Sequence, residues 1–359
     1  MVSDRTRVGI IGAGAWATFN HIPILKARSD VELVVACRKG QTELQTIKKQ
    51  FGFSEVTEDS EDVFEMDLDV ILVSSPVAFH YDHVYGSLSS KAHVLCEKPF
   101  TISPQDAWAL DRLARDMKRH LIVAYGWNYH PISIDAKRLM DDGGVGRIEH
   151  IMIAMAGEVR SLLVENVGID FGSKILTDPS TYNNPNFSGG GFAQVQLTHV
   201  LALALWLTGE RPDKVFGMMS ESNLIGLDLH NAISVRLKSG ATCSISGATS
   251  ASGALVSPTD AVGRHQCEIR IFGDRGQLII DYERALLWRK LNGRSNEWFN
   301  FESKDGGYMC TGPPNAIIDL ARGLTTKNDS PADVASWVVE IINAAYISSK
   351  TGTLVNLTC

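Results

Sequence analysis

Two closely spaced glycines at the end of a short strand make a backbone that an anion can approach. Here Val8–Ile11 runs into Gly12-Ala13-Gly14-Ala15-Trp16-Ala17, a G-x-G-x-x-A turn that opens a helix. The first glycine permits the tight turn, the second lets a pyrophosphate come against the backbone, and the small third residue lets helix and strand pack closely. Free amides and the positive end of the helix hold the phosphates. Gly12, Gly14, Ala15 and Trp16 are therefore the expected contacts of a dinucleotide. A glycine-rich connection with no ligand is the competing reading, and it loses weight because the turn follows the first strand of an alternating β/α segment. At the end of the second strand an acidic residue would bind a free ribose 2′-hydroxyl, but the chain reads Ala36-Cys37-Arg38-Lys39. Arg38 can grip a 2′-phosphate with two N–H groups and Lys39 adds charge, which favours NADP(H) over NAD(H). The alternative is a pair of solvated surface cations, with the acid supplied elsewhere.

Other residues have side chains suited to proton transfer and to polar recognition. Lys98 stands in His93-Val94-Leu95-Cys96-Glu97-Lys98-Pro99, just after a strand, where partial burial would lower its pKa towards use as an acid or base. The bland reading of Glu97 and Lys98 is a surface ion pair. His199 lies on the apolar run Phe192–Leu207, and a lone histidine there is usually a satisfied core residue. Tyr182, Asn183 and Asn184 fall in a Gly/Asn/Pro-rich loop from Asp178 to Gly191, and Arg160 is expected to end the first strand of a second domain. Polar and aromatic groups of this kind suit a carbohydrate, whose faces stack on rings and whose hydroxyls need many partners; a loop satisfying its own backbone is the alternative.

The elements that must position these groups change character near Tyr125. Before it, the β-branched runs Val8–Ile11, Val31–Ala36, Val70–Val73, His93–Leu95 and Leu121–Ala124 alternate with helical patterns at Gln41–Gln50, Tyr81–Ser89 and Pro104–Lys118. That rhythm predicts a parallel sheet covered by helices. Beyond it come a helix at Ile132–Met140, a strand at Ile148–Ala156 and the buried helix Phe192–Leu207. The strands Val215–Met219, Ala232–Leu237, Thr242–Gly247, Glu268–Phe272, Gln277–Asp281 and Leu286–Arg289 follow, then the helices Pro314–Gly323 and Pro331–Ser348. Tight turns between neighbouring strands make them antiparallel. The expected fold class is an α/β N-terminal Rossmann domain over residues 1–125. A C-terminal α+β domain with a mostly antiparallel open sheet should span 126–359, its final helices free to pack back on the first domain.

Bulk properties narrow the functional classes. A chain of 359 residues with 44% hydrophobic and 21% charged residues is too apolar for a disordered protein and long enough for two cores. A net charge of −7 without a basic block argues against a nucleic-acid partner. The six scattered cysteines lack the spacing of a zinc site and suggest reduced thiols, hence a cytoplasmic protein with no metal. No uninterrupted apolar run reaches the roughly 18 residues a membrane span requires.

Together the motifs resemble the glucose–fructose oxidoreductase / inositol dehydrogenase (Gfo/Idh/MocA) family. The resemblance rests on the dinucleotide turn, Ser75-Pro76, His80, the Glu-Lys-Pro turn, Pro131, Gly143–Gly146, Gly189-Gly190-Gly191 before His199, and Ala344-Ala345-Tyr346 with Ser348. It implies NAD(P)-dependent hydride transfer at a ring carbon of a sugar, glycoside or cyclitol, with a homodimer or homotetramer formed through the open sheet. It further implies that Ser75, Pro76, His80, Glu97 and Lys98 border the cofactor, and that Pro99 carries a cis peptide bond. Lys98 and His199 would then relay the hydroxyl proton, and Lys98, Asn128, Tyr129, Arg160, Tyr182, Gln196 and His199 would meet the substrate. The chain departs from the common pattern in having Val195 and Ala202 at positions that often hold aspartate, with Gln194 and Gln196 beside them, and Asn128 where arginine is frequent. Two other outcomes stay open: a nicotinamide-dependent enzyme that cleaves glycosides through transient oxidation, and a ligand sensor that has lost its chemistry.

Overall fold

The computed structural model describes residues 5–164, 175, 177–221, 226–249, 265–301 and 308–357. Cys359 lies outside these residues. The first sheet contains β1 (Thr6–Ile11), β2 (Val31–Cys37), β3 (Glu55–Thr57), β4 (Val70–Val73), β5 (His93–Cys96) and β6 (Leu121–Val123). Its strand order is β3-β2-β1-β4-β5-β6, all parallel. β4 and β6 are buried at every position, as expected for parallel strands covered on both faces. On one face Val8 and Ile10 pack with Ile22, Leu25, Ile317 and Ile318; on the other Ile71, Val73 and Val94 pack with Val84, Leu88 and Leu110. The order reverses between β1 and β4, the point where α/β sheets of this topology bind ligands.

The second sheet runs β14-β13-β12-β11-β7-β10-β9-β8-β15. Its strands are β7 (Ile148–Gly157), β8 (Pro212–Glu221), β9 (Asp228–Leu237), β10 (Thr242–Thr249), β11 (His265–Gly273), β12 (Gly276–Asp281), β13 (Leu286–Leu291), β14 (Glu297–Asn300) and β15 (Val355–Asn356). Only the β7–β10 pairing is parallel among the described strands. Strict alternation of buried and exposed positions along β9 shows that one face is covered and the other open. The covered face lies under the helices Thr198–Thr208 and Ala332–Thr351, while Met152, Phe216, Met218 and Trp298 stand exposed on the other.

The segment Pro185–Thr208 is long and apolar enough by composition to cross a membrane, yet all of its most apolar window is buried inside the fold. It is not one continuous α-helix. A π-helical turn, Ala193–Leu197, precedes the helix Thr198–Thr208, and a similar turn, Ala17–His21, interrupts the helix after the first glycine turn. The short strands β3, β14 and β15 carry too little periodic pattern to be read from sequence. The Asp178–Gly191 loop contains the helical turns Ser180–Asn183 and Pro185–Ser188, and Arg160 does not end a strand: β7 stops at Gly157 and Arg160 opens the helix Arg160–Val164.

The two terminal helices differ in reach. Gly312–Ala321 packs on the first sheet, where Arg28 binds Asp319 at 2.7 Å. Ala332–Thr351 spans both, with Trp337 edge-on to Trp108 at 4.9 Å and Glu340 accepting the Trp108 indole N–H at 2.7 Å. At the other side of that helix, β8 approaches so closely that a Cβ on Gly217 would lie 2.9 Å from the Ala345 carbonyl oxygen. Gly217→Val should therefore lower stability by about 1–3 kcal/mol, read as a reduced midpoint in urea unfolding. An unchanged midpoint would show that the helix is not seated on this strand.

Candidate active site

The glycine turn closes the end of β1 against its neighbours. Gly12 has φ 84°, and a Cβ there would lie 2.3 Å from the Ser75 nitrogen beyond β4, so no other residue fits. Its amide and that of Ala13 donate to the Cys37 carbonyl at 2.9 and 3.0 Å, locking the turn to the end of β2. Over Gly14 a Cβ would meet nothing nearer than 3.9 Å, which leaves its backbone open to a large anion. The turn, its switch-point location and the helix that follows fit a dinucleotide. Arg38 is half-buried beside it, its Nη1 3.4 Å from the Ala13 carbonyl and its Nε donating to the Lys39 carbonyl at 2.9 Å. Burial lowers the Arg38 pKa against the pull of Glu43. Lys39 instead donates to the Glu58 carbonyl at 2.7 Å.

Ser75 is hydrogen-bonded through its hydroxyl to His83 at 2.8 Å, and Pro76 leads into the single turn Val77–Phe79. His80 is fully buried: its Nε2 faces the Ser75 carbonyl at 2.8 Å and its Nδ1 the Pro99 carbonyl at 2.9 Å. Burial drives its pKa down although carbonyls face both nitrogens. This histidine braces the loop after β4 against the Glu-Lys-Pro turn, and its ring has no surface left for a ligand.

That second turn follows β5. The Lys98–Pro99 peptide is cis, and Glu97, 7% exposed, accepts hydrogen bonds from three directions. Its Oε1 takes the Trp16 indole N–H and His21 Nε2, each at 2.7 Å, and its Oε2 takes the Lys98 amide at 3.0 Å. Burial would raise the Glu97 pKa, but His21, Lys98 and Trp16 hold it below the usual carboxylate range. The Lys98 ammonium donates to the Val195 carbonyl at 3.3 Å, and burial lowers its pKa against the opposing charge of Glu97. Where the common pattern has a side-chain acid, this chain thus offers a main-chain oxygen from the π turn. Gln194 of the same turn donates to the Thr101 carbonyl at 3.0 Å, and Gln196 is buried next to it.

His199, 6% exposed, is enclosed by aromatic edges: Tyr308 at 5.0 Å, Trp127 at 5.5 Å and Tyr125 at 6.3 Å between ring centres. Tyr308 also reaches Trp16 at 6.4 Å, so one aromatic wall joins the dinucleotide turn to the histidine helix. The Tyr308 hydroxyl accepts from the Gly126 amide at 2.9 Å and donates to the Ala124 carbonyl. Burial and then the charge of Glu97 push the Tyr182 pKa up to about 12. Asn183 lies in the same helical turn, and Asn184 caps the next one by accepting the Asn186 amide at 3.0 Å. Asn128 and Tyr129 do not join the pocket. Asn128 is fully buried and donates to the Asp329 carbonyl at 2.8 Å, while Tyr129 packs so tightly on Gly312 that a Cβ there would lie 2.3 Å from its own Cβ.

Three functional positions escaped the sequence reading. His21 is one: in an α-helix it would point away from Trp16, but the π turn with its i→i+5 bonding brings residues five apart to one side. Tyr308 has no motif around it. Asp228 is the third, 2% exposed, and its carboxylate accepts the Gly191 and Ala193 amides at 2.8 Å, Asn231 Nδ2 at 2.7 Å and the Tyr346 hydroxyl. A Cβ on Gly190 would lie 2.2 Å from the Tyr346 oxygen, so the triple glycine exists to let this network close over the start of the His199 helix.

Comparison with known proteins agrees with this geometry. A model of the oxidoreductase family with an NAD-binding Rossmann fold matches residues 6–125, and the GFO/IDH/MocA C-terminal domain matches residues 134–279. D-glucoside 3-dehydrogenase of Escherichia coli (strain K12) is 29% identical over 210 residues, 58% of this chain and 56% of that protein. Myo-inositol 2-dehydrogenase of Thermotoga maritima is 24% identical over 284 residues, 77% of this chain and 75% of the relative. The chain spans about half the length of several curated relatives it matches. An oxidoreductase domain protein from Kribbella flavida superposes with a TM-score of 0.81 at 18% identity, covering 99% of both chains. A levoglucosan dehydrogenase complex with NADH superposes at 0.79 with 18% identity and 99% coverage of both. With both domain models matched in order, the chain belongs to the Gfo/Idh/MocA family of NAD(P)-dependent oxidoreductases.

Proposed function

We propose that this protein oxidises, reversibly, a ring carbinol of a sugar, glycoside or cyclitol with NADP(H), Lys98 relaying the hydroxyl proton and His199 assisting. The observation that carries the reading is the Lys98 ammonium, half-buried and donating to the Val195 carbonyl from a turn anchored to the dinucleotide turn. When bound, the nicotinamide supplies the hydride acceptor or donor. The protein's own groups do the rest. Lys98 in its neutral form accepts the proton of the substrate hydroxyl, and burial makes that form accessible below the ordinary lysine pKa. His199 offers a ring nitrogen on the opposite element, held in orientation by aromatic edges. Tyr182, Tyr308 and Trp127 supply aromatic rings suited to a carbohydrate, and Arg160 opens the helix that packs beside Tyr182.

Arg38 supports NADP(H), because its guanidinium lies against the rim of the glycine turn and no acid ends β2. The open face of the second sheet, with Met152, Phe216, Met218 and Trp298 exposed, supports pairing with a second copy of the chain. The buried, unpaired cysteines Cys37, Cys96, Cys243 and Cys267 fit a reducing cytoplasm.

Lys98→Met should leave dinucleotide binding within a few-fold of the original while kcat falls by about 10²–10⁴; a variant that turns over normally removes the proposed relay. In the oxidising direction kcat/KM should rise with pH through a single ionisation below the free-lysine value of about 10.4, and in the reducing direction it should fall through the same ionisation. Arg38→Ala should weaken NADPH binding far more than NADH binding in titration calorimetry, and equal losses would rule out a role in 2′-phosphate recognition. Met218→Asp should reduce the mass seen by light scattering, whereas an unchanged mass would place any partner elsewhere.

A further inference from the structure

We propose that Glu97 is a positioning residue which ties the dinucleotide turn to Lys98: Trp16 and His21 from the first helix grip its carboxylate, and the carboxylate fixes the Lys98 backbone. The inference rests on the reading of Lys98 as the proton relay. Three contacts define it, with Trp16 Nε1 and His21 Nε2 on Oε1 and the Lys98 amide on Oε2. A carboxylate only accepts, so His21 carries a proton on Nε2, and its buried Nδ1 has no hydrogen-bond partner among the described residues. Both Glu97 oxygens are therefore engaged inside the protein, Oε1 by two donors and Oε2 by one.

The geometry makes placement of the lysine depend on the cofactor turn. Trp16 is the fifth residue of G-x-G-x-x-A, so its indole moves with the backbone that would receive the pyrophosphate. Displacing that indole removes a charge-assisted donor from a carboxylate that is 7% exposed, and water cannot easily replace it. The carboxylate next constrains the amide of Lys98, whose ammonium lies against Val195 across the cleft. Around Glu97, burial first and then its negative charge hold the side chains of Tyr125, Tyr182, Tyr308 and Cys310 protonated. Besides these, His21 contacts Glu97 directly and His80 lies against the Pro99 carbonyl of the same turn; Glu97 is the one carboxylate among the described groups whose charge acts on Lys98.

Two measurements on the full-length protein test this without any substrate. Labelling of Lys98 by acetic anhydride over a neutral-to-alkaline pH series, followed by peptide mass spectrometry, reports its ionisation. In Glu97→Gln the midpoint should fall by about one pH unit, since an opposing charge is lost. Should that variant not fold, Trp16→Phe retains the ring and the charge and removes one donor. In it, hydrogen–deuterium exchange at the Lys98 amide should accelerate several-fold. An unmoved labelling midpoint in folded Glu97→Gln, or unchanged amide exchange in Trp16→Phe, would overturn the proposal. Because neither readout uses turnover, a shifted midpoint together with an active Lys98→Met would discard the relay and keep the link.

Discussion

Glu97 is a full charge removed from water where the dinucleotide turn meets the loop after β5, whose Lys98 reaches the turn before the His199 helix. Burying such a group costs several kcal/mol unless donors surround it. Here the donors are supplied by elements that otherwise have no reason to meet: an indole and an imidazole from the first helix and the amide of the next residue. Meeting that requirement sets the direction of the first helix, the path of the chain through the cis peptide, and the starting point of the Lys98 side chain. The lysine is then held by a main-chain carbonyl, and among the described residues no carboxylate besides Glu97 stabilises its charged form.

A second buried carboxylate plays the matching part on the opposite wall. Asp228 gathers amides from the segment that leads into the His199 helix together with Asn231 and Tyr346. Through Tyr346 it joins the long C-terminal helix, which also packs on Trp108 of the first domain. The two walls of the cleft are thus each pinned by one satisfied carboxylate, and the aromatic wall from Trp16 through Tyr308 to His199 bridges them. Rigid placement of this kind is what a proton relay needs, because misplacement of a reacting group by about 1 Å can cost 10²-fold in rate.

Much of this was legible in the sequence for identifiable reasons. Parallel strands buried on both faces appear as β-branched runs, and the glycine turn declares itself because only glycine meets its φ and its approach to Ser75. The family followed from motifs spread along the whole chain. What escaped depends on geometry that types and spacing do not encode. His21 joins Trp16 through a π turn, which a helical period of 3.6 residues misplaces. Asp228 is distant in sequence from the glycines it serves, and Tyr308 reaches the pocket from a stretch without periodic pattern. Burial was equally invisible: Asn128 and His80 have the right polarity for ligand contacts, yet they are sealed inside, and half-buried Tyr129 packs on Gly312. Arg160 moved from strand to helix because β7 ends at Gly157.

The effect of Trp16 on the chemical step should pass through Glu97 to Lys98. A double-mutant cycle on single-turnover hydride transfer, with Trp16→Phe, Glu97→Gln and the pair in the presence of saturating dinucleotide and the best glycoside or cyclitol, measures this directly. The account predicts that the double variant is no slower than Glu97→Gln alone, because one link cannot be broken twice. Losses that add in full would contradict it.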